Sequence, residues 1–235
     1  MIEYIEEEGI VINKYDYGES DRYLTFFSKN YGKLVFFVKG IRKSKKRQIN
    51  SADILNFSQI IFYKRNETYK LSSIQGIDSY LEIKEDLTRL ESALYILSVL
   101  NAILVENNKK EKLFNLTRKT LDFLKTNDDK RKNYILILYY LYFVIKDEGM
   151  KIEINEGEYF IFPTSRFSDV EKSGFKLNSI QKEILKKLVE GRTKEIIKGK
   201  EKIKDIYKVI LLLELYLNYQ FGIKLNLKKY VMGVE

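Results

Sequence analysis

Hydrophobic and polar positions follow two different periods along the chain. Up to about residue 80, short apolar runs alternate with polar side chains at the period of two that is typical of β-strands. This pattern predicts five strands over residues 9–14, 23–28, 33–39, 57–65 and 69–77, with hairpin loops after the second and the fourth. Five short strands with a long loop after the third favour a small OB-fold barrel, and an SH3-like barrel is the alternative.

From about residue 83 onward, the apolar positions recur at helical spacing. The pattern predicts helices over residues 86–106, 110–124, 130–146, 179–189 and 204–221, and an irregular, β-like segment over residues 150–175 around Pro163. We therefore expect an α+β chain, with a five-stranded OB-fold barrel over residues 1–80 and an all-helical C-terminal domain over residues 81–235. The helix over residues 130–146 is apolar on nearly every side, which is typical of a buried central helix; a partner-binding groove is the alternative.

The sequence shows neither a membrane-spanning run nor a signal peptide. No apolar run reaches the 18 or so residues of a membrane span. The first residues, MIEYIEEEG, have neither the basic nor the apolar part of a signal peptide. We therefore expect a cytoplasmic protein without membrane contact, and we interpret Glu6, Glu7 and Glu8 as a solvated terminus.

The chain has no cysteine and no histidine. Their absence excludes disulfides, thiolate catalysis and cysteine zinc sites, and it removes the commonest general base and metal ligand. No G-x-x-x-x-G-K-[ST] nucleotide-binding pattern is present. We therefore expect no enzymatic activity, catalytic residue, cofactor, metal or small-molecule substrate. A metal-dependent nucleic-acid-processing enzyme is the alternative, with Glu19 and Asp21 as its carboxylates, although a turn before a strand commonly uses Asp for backbone hydrogen bonds.

The positive charge of the chain is unevenly distributed. Its formal net charge of +9 indicates a polyanionic partner, although a Lys-rich genome composition would give the same total. Residues 22–52 contain no Asp or Glu at all. Cations there would neutralise phosphates without reading base sequence, and a solvated charged loop is the alternative. The sequence therefore predicts DNA contacts by Arg22, Lys33, Lys39, Arg42, Lys43, Lys45, Lys46 and Arg47.

Aromatic side chains accompany these cations on the second and third predicted strands. Alternation turns Phe36 toward the core and Phe37 outward beside Lys39, and Tyr23 and Phe27 share the outward face. Rings placed between cations can stack the bases of a single strand, so we add Phe37 to the predicted DNA contacts. Packing of these rings against the helical domain is the alternative.

The order and spacing of short motifs over residues 8–47 resemble the RecO family of DNA repair and recombination mediators. The motifs are Gly9-Ile10-Val11, Tyr17-Gly18-Glu19-Ser20-Asp21-Arg22, Thr25, Gly32-Lys33 and Lys39-Gly40-Ile41-Arg42-Lys43-Ser44. A weaker likeness covers Glu148-Gly149, residues 213–217, residues 222–225 and Lys228-Lys229.

The resemblance implies an OB-fold followed by a helical domain, and a protein that binds single- and double-stranded DNA and anneals complementary strands. It further implies work with RecR, in the RecFOR pathway, to load RecA onto DNA coated by single-strand-binding protein (SSB) after DNA damage, at the bacterial nucleoid. The family's contact for the acidic SSB C-terminal tail lies in the helical domain, and neither that contact nor the RecR contact can be assigned to residues here. Many members hold a four-cysteine zinc site after the apolar helix; residues 150–175 lack cysteine, so we expect a zinc-less member. An RNA-binding OB-fold protein would share the same basic pattern and is a further alternative.

Overall fold

The N-terminal strands form an antiparallel five-stranded sheet. The computed structural model describes residues 3–44, 49–66, 68–170 and 174–230. The strands are β1 (Tyr4–Tyr17), β2 (Asp21–Ser28), β3 (Gly32–Val38), β4 (Phe57–Arg65) and β5 (Thr68–Asp78). All five predicted strands are present, and β1 extends further at both ends than its apolar pattern indicates.

This sheet curls into a partly open barrel. Its hydrogen-bonded order is β3-β2-β1-β4-β5, and β3 and β5 meet at the closing edge. A bulge in β1 between Val11 and Asn13 interrupts the pairing with β2. There the Val11 N–H donates to the Asn56 carbonyl and the Leu55 N–H donates to the Val11 carbonyl, so the segment before β4 satisfies the β1 backbone. A five-stranded barrel followed by helices confirms the predicted α+β class and OB-fold.

Alternate side chains of the strands fill the barrel. Because successive residues of a strand point to opposite faces, every second apolar position enters one core. This core is formed by Val11, Leu24, Phe26, Leu34, Phe36, Val38, Ile60 and Phe62. The intervening positions of β2 and β3 therefore lie on the outside of the barrel.

Three helices follow the barrel: α1 (Leu81–Lys84), α2 (Leu87–Ile103) and α3 (Glu111–Thr126). Phe114 of α3 packs edge-on against Phe27 of β2 at 5.4 Å between ring centroids. The Arg118 guanidinium lies 3.6 Å from the centre of the Phe57 ring. These helices belong to the same compact unit as the barrel, because the contacts divide the chain between Thr126 and Asn127. The chain therefore changes from strands to helices near residue 80, but the boundary between its two compact units lies after residue 126.

The second unit, residues 127–235, is built around α4 (Lys130–Asp147). Its other helices are α5 (Ser179–Val189), α6 (Thr193–Lys198) and α7 (Ile203–Phe221). As predicted, α4 is buried along most of its length, and it packs against α7. The short α6 was not predicted, because six residues are too few to show a helical period. No helix in the described part of the chain is long and apolar enough to cross a bilayer.

Residues 150–175, predicted to be β-like, contain a small antiparallel sheet. Its strands are β6 (Tyr159–Ile161), β7 (Arg166–Ser168) and β8 (Phe175–Lys176), in the order β7-β6-β8. Phe160 and Phe167 are fully buried, and Phe160 packs edge-on against Phe167 and against Tyr216 of α7. The Lys182 ammonium donates to the carbonyls of Asn155 and Gly157 and lies 4.6 Å from the centre of the Phe167 ring. Apolar packing and a lysine thus hold a segment that has no cysteine.

Glu6 and Glu8 are exposed, as expected of solvated residues, but the interpretation of Glu6, Glu7 and Glu8 as a terminus was wrong. All three belong to β1 and pair with β4. Glu7 is only 7% exposed, and its carboxylate accepts hydrogen bonds from the Asn30 side-chain amide. The pattern did not predict this part of β1 because three identical charged residues conceal the alternation of a strand.

Candidate nucleic-acid interface

Three aromatic rings form a cluster on the outside of the barrel. Tyr23 of β2 and Phe37 of β3 are directly opposite in the register, and their ring centroids are 4.8 Å apart. Tyr17, at the end of β1, lies 6.0 Å from Tyr23 and 5.9 Å from Phe37. Tyr17 is 55% and Tyr23 is 38% exposed, and Phe37 is half-buried. We call Tyr17, Tyr23 and Phe37 the aromatic cluster; its exposed faces are available to flat ligands.

The outward aromatic residues of β2 do not all belong to this cluster. Phe27 is fully buried, because α3 covers that end of the strand and places Phe114 against it. Thr25, between Tyr23 and Phe27, is 8% exposed. The rings of β2 therefore differ along the strand. Near Tyr23 they face outward, as a stacking surface requires, and near Phe27 they pack against the helices, as the alternative predicts.

Lysines lie next to the aromatic cluster, where β3 meets β5. A cleft between these strands is lined by Phe37, Lys39, Tyr63, Lys70 and two aliphatic side chains. Tyr63 and Lys70 are paired across β4 and β5. Lys39 is exposed, and Lys70 is half-buried. Rings and ammonium groups thus share one continuous surface, which we call the barrel face (the aromatic cluster with Lys39, Tyr63 and Lys70).

The turn between β1 and β2 holds the start of the basic loop. The Asp21 carboxylate accepts hydrogen bonds from the Gly40 N–H at 2.8 Å and from the Ser20 hydroxyl at 3.0 Å. Gly40 has φ +64°, in the left-handed region that costs other residues a steric penalty. The Arg42 N–H donates to the Ser20 carbonyl, and the Arg42 guanidinium donates to the Gly18 carbonyl. The motif over residues 17–22 therefore fixes the backbone that presents Arg42.

The cations near Asp16 differ in how far they are exposed to solvent. The Arg22 Nε donates to the Asp16 carboxylate at 2.6 Å, and the Arg22 side chain is only 8% exposed. The hydrogen bond from Arg22 holds the pKa of Asp16 below its usual range. Arg42 is more exposed, at 39%, and lies 3.5 Å from the second Asp16 oxygen. Lys43 is exposed and pairs with Glu19 at 3.1 Å. Arg42 and Lys43 can reach a ligand, whereas Arg22 is itself buried against Asp16.

Lys33 lies away from the barrel face. Its ammonium donates to the Asn101 carbonyl near the end of α2 at 2.8 Å. Burial lowers the pKa of Lys33, although Glu106 acts in the opposite direction. Lys33 therefore ties the barrel to α2 and is not directed toward a ligand at the aromatic cluster, in contrast to its predicted role. Lys45, Lys46 and Arg47, also predicted as contacts, lie outside the described residues.

Sequence reasoning missed Tyr17, Tyr63 and Lys70. A signal for Tyr17 was present, since Tyr15 and Tyr17 alternate along β1 in phase with Tyr23 on β2. Tyr63 and Lys70 gave no such signal, because their place beside β3 depends on closure of the barrel. The two carboxylates of the enzyme alternative already have partners after β3: Asp21 accepts from the Gly40 N–H, and Glu19 pairs with Lys43. No group of three metal-ligating side chains occurs among the residues that the structure describes.

Two family profiles match the chain. The profile described as recombination protein O N terminal matches residues 1–80, and the one described as recombination protein O C terminal matches residues 84–156. Together they cover the barrel, α1 to α4 and the start of the following segment. Residues from 157 onward lie outside both matches.

Curated relatives are similar over about half of the chain. A protein named DNA repair protein RecO from Acetivibrio thermocellus is 33% identical over 125 residues, which are 53% of this chain and 50% of that protein. A protein of the same name from Alkaliphilus metalliredigens is 28% identical over 124 residues, which are 53% of this chain and 50% of that protein. Another from a Thermoanaerobacter species is 33% identical over 110 residues, which are 47% of this chain and 44% of that protein. The matched region thus spans about half the length of these relatives.

Proposed function

Because this chain belongs to the RecO family of DNA repair and recombination proteins, we propose that it binds single-stranded DNA on the barrel face and anneals complementary strands. The observation that carries this proposal is the aromatic cluster beside Lys39 and Lys70, with Arg42 bonded to the Gly18 carbonyl next to Tyr17. Rings stack bases of any sequence, and cations neutralise the phosphates between them. Neither interaction requires a nucleophile, a metal or a nucleotide cofactor.

Annealing follows from this arrangement. Two strands repel each other through their phosphates, and a basic surface offsets that repulsion. Stacking on Tyr17, Tyr23 and Phe37 would hold the bases unpaired and accessible until a complement arrives. Arg42, held by Asp21 and Gly40 through the turn, would clamp the backbone at the edge of the cluster.

Further activities of this chain are proposed from the family alone. We propose that it binds double-stranded DNA as well, interacts with RecR, recognises the acidic C-terminal tail of SSB, and helps to load RecA onto SSB-coated single strands at the nucleoid. No residue of this chain is assigned to RecR or to the SSB tail. Lys45, Lys46 and Arg47 remain proposed phosphate contacts on grounds of sequence.

Annealing kinetics test the proposal directly. Fluorophore-labelled complementary oligonucleotides are mixed with the purified chain across a salt series, with and without ATP and with and without SSB. We expect annealing that falls steeply with salt, since each lost phosphate contact on a single strand changes the log–log slope by about 0.7. ATP should have no effect.

Two results would favour the alternatives. Magnesium-dependent cleavage products would indicate the nucleic-acid-processing enzyme. Stronger binding of an RNA than of the DNA of equal sequence, in direct competition, would indicate an RNA-binding protein. Tight single-strand binding with no annealing at any salt concentration would reduce the function to binding.

A further inference from the structure

The segment from the end of α6 to the start of α7 exposes its lysines and turns its one acid inward. Its sequence, Lys198-Gly-Lys-Glu-Lys-Ile-Lys204, carries four lysines and one glutamate. All four lysines, at positions 198, 200, 202 and 204, are exposed. Among the residues that the structure describes, none of the four lies within ion-pair distance of a carboxylate. The segment lies in the second unit, beyond both family matches.

Glu201 is turned inward, and two cations hold it there. Its side chain is 13% exposed, and its carboxylate lies 3.0 Å from the Arg131 guanidinium and 3.1 Å from the Lys187 ammonium. Burial by itself raises the pKa of Glu201, but its own backbone N–H, Lys187 and Arg131 outweigh burial and keep the pKa below its usual range. The single acid of the segment is therefore ionised and already neutralised, so it does not offset the lysines outside.

Arg131 also fixes the shape of this segment. Its guanidinium donates to the carbonyls of Ile196, Ile197 and Glu201. Gly199 makes room for the inward carboxylate, since a Cβ at that position would lie 2.0 Å from a Glu201 oxygen. The lysine segment is thus a built feature of the unit and not a freely moving loop.

The start of α7 adds to the positive field. This helix has 19 residues, and its N-cap residue, Lys202, makes no side-chain capping hydrogen bond. The first N–H groups and the helix dipole therefore leave about half a positive charge at this end. Asp205, the acid of the first turn, is 7% exposed and accepts a hydrogen bond from Gln181. The acids at positions 201 and 205 are consequently turned inward and the exposed Glu195 pairs with Arg192, whereas the four lysines face outward.

We propose that this lysine segment (Lys198, Lys200, Lys202 and Lys204) is a second nucleic-acid contact, which binds the phosphate backbone of a second strand. Lys200 and Lys202 lie on the non-helical stretch between the two helices, and Lys198 and Lys204 lie at the adjoining helix ends, so the segment presents four exposed cations to a polyanion. It carries no aromatic cluster comparable to the barrel face, so it binds phosphates and leaves the bases free to pair. The inference rests on the proposed annealing function: one strand is stacked on the barrel face, and the other is held here only by its backbone.

A charge-matched pair of variants tests this inference. The first variant changes Lys198, Lys200, Lys202 and Lys204 to Gln. The control changes four other exposed lysines of the same unit, Lys132, Lys146, Lys151 and Lys176, to Gln, so that both lose the same net charge. Binding stoichiometry of a short labelled oligonucleotide at low salt and annealing rates are measured for both, and Tm is compared to confirm folding.

We expect the first variant to bind one oligonucleotide per chain where the wild type binds two, and to anneal about tenfold more slowly. Its affinity for the first strand should change less than twofold, and the control should resemble the wild type. Equal slowing of both variants, or two oligonucleotides still bound by the first, would overturn the second site. If the first variant loses binding to poly-glutamate but keeps its binding to DNA, the lysine segment binds an acidic protein partner, and the proposed second DNA site is overturned. A wild type that binds but never anneals would refute the proposed function instead, and the stoichiometry would still report on the lysine segment.

Discussion

Replacing Phe37 by Ala should weaken single-strand binding without changing its salt dependence. Phe37 occupies the centre of the aromatic cluster, within 6 Å of both tyrosine rings. Stacking of one base on one ring contributes about 1–3 kcal/mol, so the affinity should fall by about 5- to 150-fold. The salt slope counts phosphate contacts and should stay within experimental error of the wild type.

The structure sets the controls for this experiment. Phe37 also contacts Tyr17 and Tyr23, so its removal costs about 0.5–1.5 kcal/mol of aromatic packing for each pair that is lost. Phe37→Leu retains most of the apolar contact but has no ring to stack; its Tm should be closer to that of the wild type, while its affinity should stay low. Tyr219→Ala removes a ring that is 53% exposed in the other unit and should leave the affinity unchanged.

The measurement is fluorescence anisotropy of a labelled oligothymidine at several salt concentrations. Parallel lines in a plot of log affinity against log salt, displaced downward for Phe37→Ala and Phe37→Leu, are the expected result. If Phe37→Leu binds as well as the wild type, stacking on this ring is refuted. A flatter slope for either variant would mean that the ring positions phosphate contacts and does not bind bases.

Three further outcomes are expected. Changing Arg42 and Lys43 together to Gln should lower the salt slope by about 0.7 for each contact, in the same anisotropy assay, and an unchanged slope with an intact fold would exclude them from the interface. The hydrogen bond from the Gly40 N–H holds the pKa of Asp21 below its usual range; the stability that it contributes is present above the ordinary aspartate pKa and is lost as pH falls through the lowered value. Tm of the wild type should therefore fall more steeply than that of Asp21→Asn in that acidic range, and parallel curves would contradict this role. Arg131→Met should lower the free energy of unfolding in urea by about 2 kcal/mol, because it leaves three carbonyls and the Glu201 carboxylate with fewer partners. A change within error of zero would show that Arg131 does not hold the lysine segment.

Strand positions on the barrel could be predicted because their information is local. Alternation along residues 33–39 assigned Phe36 to the core and Phe37 to the outside, and the structure places both so. The helix over residues 130–146 was identified as central because nearly every face of it is apolar. Where the period was short or hidden, prediction failed: α6 has six residues, and Glu6, Glu7 and Glu8 conceal the alternation of β1.

Which charges face a ligand could be decided only by the tertiary structure. Arg22, Lys33 and Arg42 are equally basic in the sequence, yet one is buried against Asp16, one is bonded to α2 and one is exposed at a turn. The sequence determined the strands, the core, the basic stretch and the likeness to a family. The partners of each cation depend on residues distant in the chain, such as Asn101 for Lys33, because closure of the barrel and packing of α2 bring them together. In the same way Glu201 adjoins four lysines in the sequence, and only folding around Arg131 removes its charge from the surface.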